Sequence, residues 1–305
     1  IPWFESYYKD LGVTRWDRYV DYLRNQKKFA PAVVTGMKEN LFKITDFLGD
    51  PNGINFKRKG LIIGDVQSGK TANYVGLMNL ATDTRYKLIV VLTGTTNTLR
   101  EQTQIRIEEG LGKAKMRKSA SIIKNTKYKE STQKKPPYLT SRESDYDTNS
   151  RKNFQQSIET TNVPIIIVTK KNSTALKNIY DWLEEYSKKN QHDDHIDSSI
   201  LLIDDEADFA SVNTKDDKEN PTAINSRIRD ILELFTKSSY IGFTATPYAN
   251  IFINPDSDTT MYGQDLFPRD YIYVLGESEE YIGVQSVFGK DAKHANMLVE
   301  ISPSN

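Results

Sequence analysis

Eight residues constrain this chain more than any other stretch. Gly64–Thr71 reads Gly-Asp-Val-Gln-Ser-Gly-Lys-Thr and satisfies the pattern G-x-x-x-x-G-K-[ST] without a mismatch. The apolar run Leu61–Ile63 before it suits a buried strand, and Thr71–Leu80 after it can form a helix. Strand, glycine loop and helix are the setting in which such a loop closes its backbone N–H groups on phosphate oxygens. The helix start adds a partial positive charge. Gly64, Gln67, Ser68, Gly69, Lys70 and Thr71 are therefore the candidate contacts for ATP. Lys70 is placed to reach the β- and γ-phosphates, and the Thr71 hydroxyl to hold Mg²⁺. A chance glycine-rich turn would share the letters, but not the flanks.

A second anchor lies far along the chain. Ser199–Asp208, Ser-Ile-Leu-Leu-Ile-Asp-Asp-Glu-Ala-Asp, reads as a buried strand that delivers acids at its end. Beside a phosphate loop, Asp205 would hold Mg²⁺, and Glu206 would orient or deprotonate the attacking water. The competing use of these carboxylates, as caps of a following helix, is weak in that company. Tyr240–Phe243 is a third strand, ending in Thr244-Ala245-Thr246-Pro247. Thr244 and Thr246 could sense the γ-phosphate, or simply form a strand-end turn closed by Pro247.

The remaining segments carry softer signals. Trp16, Tyr19, Leu23 and Phe29, then Val34, Met37, Leu41, Ile44 and Leu48, recur at near-helical spacing, so two helices are expected before the turn Pro51-Asn52-Gly53. Trp16 and Tyr19 suit core packing better than stacking on a base. After the strand Lys87–Thr93, the segment 94–103 leads into a helix reaching about Glu109. Thr95, Asn97, Arg100 and Gln102 could meet a nucleic-acid backbone there, and Asn97 or Thr98 could equally cap the helix. Residues 113–135 hold nine Lys/Arg and one acid, and the stretch to Ser150 is polar. A mobile insertion is expected, with a solvated loop favoured over a basic flap on nucleic acid. The strand Val163–Thr169 ends at Lys170-Lys171, a second candidate phosphate contact. An amphipathic helix with Leu176, Ile179, Trp182 and Leu183 follows, and another is expected over Thr222–Phe235. His192-Asp193-Asp194-His195 reads as a solvent loop rather than a metal site.

Bulk properties exclude several classes. Lys+Arg and Asp+Glu are both 41 in 305 residues, so overall charge does not announce a nucleic-acid binder, and any basic surface is local. No cysteine is present, which removes disulfides, thiolate metal sites and a thiol nucleophile and accords with a cytoplasmic location. No apolar run reaches a membrane span's length of about 20 residues. The first residues, Ile-Pro-Trp-Phe-Glu-Ser, lack a signal-peptide pattern and an initiator Met, so the chain is expected to begin within a longer protein.

Gly-Lys-Thr at 69–71, Asp-Glu-Ala-Asp at 205–208 and Thr-Ala-Thr at 244–246, in that order, resemble the first RecA-like lobe of superfamily-two helicases and translocases. The longer wording of 64–74, Leu99–Gln104, Ile203–Asp208 and Gly242–Ile253 is similar to the Z-one family, labelled endonuclease, as more loosely are Leu266–Asp270 and Tyr281–Gly283. The likeness spans roughly residues 15–289. It implies a helicase-type ATPase of bacterial restriction-modification or phage-defence systems that acts on DNA, alongside methyltransferases, GHKL-type ATPases and separate nucleases. Carried over, Lys70, Thr71, Asp205 and Glu206 form the ATP·Mg²⁺ site and Thr244 and Thr246 the coupling motif. Arg100, Gln102, Lys170 and Lys171 become DNA contacts. Asn225 and Arg229 fit a family pattern without an assigned role. The family continues into a second lobe bearing an arginine finger, so these 305 residues are expected to be an N-terminal fragment, and no Pro-Asp…Glu-x-Lys nuclease core is found in them.

The expected architecture is α/β: a RecA-like P-loop lobe over 57–289, mostly parallel, with an N-terminal helical region over 1–56, an insertion at about 113–150 and a tail at 290–305 that says nothing.

Overall fold

The computed structural model describes residues 2–64, 69–111, 134–150, 157–190, 195–209, 211, 222–251 and 265–276. Gln67, Ser68, His192–Asp194, most of the basic stretch, Tyr281–Gly283 and the tail lie outside them.

Six strands form one sheet: β1 (Phe56–Ile63), β2 (Leu88–Thr93), β3 (Ile165–Lys170), β4 (Ile196–Asp205), β5 (Phe235–Thr244) and β6 (Tyr271–Val274). Their order is β3-β2-β4-β5-β1-β6, and every neighbouring pair is parallel. The expectation of a mostly parallel sheet is thus met in full among the described residues.

Parallel strands need crossovers, and helices covering both faces bury most residues of β2, β3, β4 and β5, while β6 at the edge is largely open. Side-chain alternation divides the core accordingly. Ile89, Val91, Ile166, Val168, Leu201, Ile203, Ile241 and Phe243 share one cluster with α1 (Phe4–Lys9), α2 (Arg15–Asn25), α3 (Pro31–Phe47), α4 (Lys70–Asp83) and α5 (Asn97–Leu111). Leu88, Val90, Leu92, Ile165, Ile167, Ile200 and Leu202 point the other way, onto α6 (Ser173–Asn190) and α7 (Ala223–Glu233).

The N-terminal region holds three helices rather than two. The additional α1 is tied to the end of α3 by the Trp3 and Phe4 amides, which both donate to Asp46 Oδ1 at 2.8 and 2.7 Å. Thr14 and Asp17 form a reciprocal capping box at the start of α2. Trp16 and Tyr19 are buried, as core packing requires. The α2 start also docks on α4, where the Arg15 and Trp16 amides donate to Asp83. Burial pushes the Asp83 carboxyl up to about 7, against the pull of those two amides.

Phe235 opens β5 instead of closing α7, because it pairs with Ile196 in the sheet. Residues 134–150, expected to belong to a free polar insertion, pack on the β3 edge. Tyr138 bridges Ile166, and the buried Thr140 hydroxyl donates to Gln104 while accepting from the Val168 amide. Leu139 and Tyr146 supply the apolar anchors that the polar composition hides. Among the described residues no helix is long and apolar enough to cross a membrane.

Candidate nucleotide site

Because β5 lies between β1 and β4, the carboxyl ends of these three strands are consecutive, and ligands of open α/β sheets bind at such ends. Ile63 stands opposite Thr244, and Asp205 opposite Phe243. Loop backbone extends the ladder on both sides: the Gly64 amide donates to Thr244 and the Ala207 amide to Phe243, each at 3.0 Å. Phosphate loop, threonine turn and acidic loop are thereby joined.

A cavity of about 820 Å³ opens at this edge, and Gly69, Lys70, Thr71, Asp205, Glu206, Asp208, Thr244 and Thr246 all line it. Gly69 has φ +72°, a left-handed conformation that glycine adopts without strain, and precedes α4 without a side-chain cap. Gly69 itself offers no side-chain acceptor to the first amides of α4. Lys70 Nζ donates to the Gly64 carbonyl at 3.0 Å. Arg106 of α5 donates to the Thr71 hydroxyl at 3.2 Å. A lysine, a hydroxyl, a helix start led by glycine and the carboxylates of Asp205 and Glu206 form a donor set that fits a triphosphate and a hard divalent cation.

The acids are held individually. Asp205 accepts from the Tyr74 hydroxyl at 3.3 Å, and burial, followed by the neighbouring Glu206 charge, pushes its carboxyl up to about 6. Glu206 sits at φ +56°, where a non-glycine residue costs on the order of 1–3 kcal/mol and persists only if its surroundings fix it. Asp208 accepts from the hydroxyls of Thr244, at 2.6 Å, and Thr246. Buried Asn250 of α8 (Tyr248–Ile251) donates to the Ala207 carbonyl at 3.0 Å. Tyr74, Asp208 and Asn250 fall within the motif wording read from the sequence, which assigned none of them a role.

The expected DNA contacts fare differently. Thr95, Asn97 and Gln102 are exposed, and Gln102 lines the cavity. The α5 cap is Thr96, whose hydroxyl accepts from the Leu99 amide, rather than Asn97 or Thr98. Arg100 is only 2 % exposed and donates to the carbonyls of Ser141 and Arg142. Lys171 is likewise buried, 2.9 Å from Asp204. Both cations are committed inside the protein, which takes them out of the surface set. Lys170 remains half-buried at the edge, 3.9 Å from Asp145. Asn225 and Arg229 gain a structural account: buried Asn225 donates to the Ser211 carbonyl and to Asp265, and accepts from Arg229.

The far wall of the cavity comes from α2 through Tyr19, Tyr22 and Leu23 and from the connection to α3 through Lys27 and Phe29. Tyr19 donates to the Ala72 carbonyl, and Tyr22 and Lys27 both donate to Glu109.

No curated protein matches the chain. Residues 21–249, from the middle of α2 to α8, match the family described as "Type III restriction enzyme, res subunit". That stretch carries the sheet through β5 and all three site motifs, and the chain belongs to this family of superfamily-two helicase-like ATPases.

Proposed function

We propose that this chain is the ATP-binding and hydrolysing lobe of a DNA-acting motor from a bacterial restriction-modification or phage-defence system, and that within its family it stands nearest the Z-one group. The observation that carries the reading is the convergence of Lys70, Thr71, Asp205, Glu206, Asp208, Thr244 and Thr246 on one cavity, with the three loops joined by hydrogen bonds. In this reading Lys70 and the first amides of α4 bind the phosphates, and Thr71 and Asp205 hold Mg²⁺. Glu206 orients the attacking water. When bound, the metal neutralises charge on the β- and γ-phosphates. Thr244 and Thr246 sense that charge and pass its loss to the acidic loop through Asp208. Tyr22 and Phe29 form the wall facing the base. Thr95, Asn97, Gln102 and Lys170 present the phosphate-contacting edge to DNA. The functional division is an N-terminal region over 1–56, the ATPase lobe over 57–289 with the insertion at 113–150, and a tail over 290–305. Methyltransferase, GHKL ATPase or nuclease partners and a cytoplasmic site of action belong to the same proposal.

Titration of ATP·Mg²⁺ into wild type and Lys70→Ala tests the site: wild type binds and the variant loses binding, and indistinguishable isotherms overturn the assignment. DNA-stimulated hydrolysis tests the motor reading. A rate insensitive to DNA makes the chain a switch ATPase, and plasmid cutting that survives Lys70→Ala makes it a nuclease.

A further inference from the structure

We propose that Lys171 is a positioning residue for ATP hydrolysis, acting from beneath the acidic loop through the backbone of Glu206. The inference rests on the assignment of Glu206 as the residue that orients water.

Lys171 directly follows β3, and its side chain turns inward rather than toward the surface that Lys170 faces. Its ammonium and the Asp204 carboxylate are both fully buried, 2.9 Å apart. An ammonium has three donors and no acceptor. Lys171 donates to the Glu206 carbonyl and, at 2.9 Å, to the Phe209 carbonyl, and its ammonium is ion-paired with Asp204 Oδ1. The other Asp204 oxygen accepts from the Tyr240 hydroxyl at 2.7 Å. Lysine and aspartate thus compensate each other, as buried charges must.

The two carbonyls make the arrangement more than a buried pair. They belong to residues on either side of the turn that carries Ala207 and Asp208, and one of them is Glu206 itself. At φ +56° the Glu206 backbone does not hold its conformation unaided. Lys171 anchors the carbonyl of that residue, while the Ala207 amide is anchored on Phe243. Between these fixed points the Glu206 carboxylate is directed to the cavity at the end of β2. There its Oε2 lies 3.4 Å from the position a Cβ on Gly94 would take. Loss of the lysine contact frees this backbone to relax toward ordinary dihedrals, and the carboxylate turns with it.

Two variants separate positioning from mere structure. Lys171→Arg keeps a cation against Asp204, but its planar fork cannot repeat the three-way ammonium geometry. The pair Lys171→Met with Asp204→Asn removes both charges together, so neither is stranded. In both, the turnover number for ATP is expected to fall by about 10- to 100-fold, the scale for misplacing a catalytic group by about 1 Å. ATP·Mg²⁺ affinity should stay within about twofold, since the phosphate loop is untouched. Wild-type turnover in either variant, with the fold intact by circular dichroism, overturns the proposal. Glu206→Gln serves as the control: if it hydrolyses ATP at the wild-type rate, the assignment beneath the inference fails. A dead Glu206→Gln beside a fully active Lys171→Arg sinks the inference alone.

Discussion

The Thr244 hydroxyl donates to Asp208 Oδ1 at 2.6 Å, and so fastens the end of β5 to the loop that follows β4. The Thr246 hydroxyl donates to the other oxygen of the same carboxylate. One acid therefore holds both hydroxyls of the threonine motif, and a shift on either side of the contact is transmitted to the other. Asp208→Asn weakens both bonds by removing the charge, and Thr244→Val removes one donor at nearly constant volume. Each is expected to lower DNA-stimulated ATP hydrolysis by about tenfold, with ATP·Mg²⁺ affinity changed by less than about twofold. Steady-state kinetics with and without DNA, alongside a binding isotherm, check the split.

Arg100 gives the opposite pattern. Its guanidinium joins α5 to the chain that covers the β3 edge, through the carbonyls of Ser141 and Arg142. Arg100→Ala leaves those acceptors unsatisfied and is expected to cost about 2–4 kcal/mol. The melting temperature should fall by roughly 4–10 °C, while DNA affinity of the folded protein stays near wild type. Thermal denaturation and a fluorescence-anisotropy titration distinguish these effects.

Gly242 lies in β5 directly beneath the acidic loop, where an added Cβ would come within 2.7 Å of Ala207 Cβ and 3.1 Å of Leu61. The Ala207 Cβ is fixed to its backbone and cannot swing away, whereas the Leu61 contact is with its terminal Cδ1. Gly242→Ala is therefore expected to displace the loop at Ala207 and to reduce turnover, at an overpacking cost of about 1–3 kcal/mol. Turnover measured well below the melting temperature checks it. Undiminished activity would mean that the loop accommodates the methyl group.

The docking of α2 on α4 should respond to pH. Asp83, pushed up to about 7 by burial, is protonated more readily in the folded protein than in the unfolded chain, whose carboxyl titrates near 3.8. Its contribution is fully present below the unfolded value and is lost as pH rises through about 7. Asp83→Asn removes this titration. Wild type should thus lose stability relative to Asp83→Asn between these two values, as denaturant melts across that range will show.

How far the sequence could be read depended on the range of the signal. The phosphate-loop motif, the buried strands and the acidic strand end are local patterns in which a few consecutive residues hold the information, and among the described residues the strands and the helix that begins at Lys70 lie where the letters predict. Residues 134–150 mislead because two apolar anchors, Leu139 and Tyr146, decide the packing of a polar stretch. Arg100 and Lys171 mislead for another reason. A cation at a strand end or helix start can face solvent or turn inward, and partners 41 and 33 positions away decide which. Thr244 and Asp208 are both plain in the sequence, yet their bond exists only because β4 and β5 are neighbours.

Trp16, Tyr19, Leu41 and Ile44 belong to the same continuous cluster as Ile203, Ile241 and Phe243 in the middle of the sheet. The first three helices are therefore no detachable module. A truncation starting at β1 would leave α4 and α5 on that face of the sheet but bare the side of α4 that α2 and α3 cover, and remove a wall of the cavity as well. Melting should accordingly be a single cooperative event that takes the helices and the sheet together, and a shortened protein of that kind would aggregate before its affinity for nucleotide could be measured.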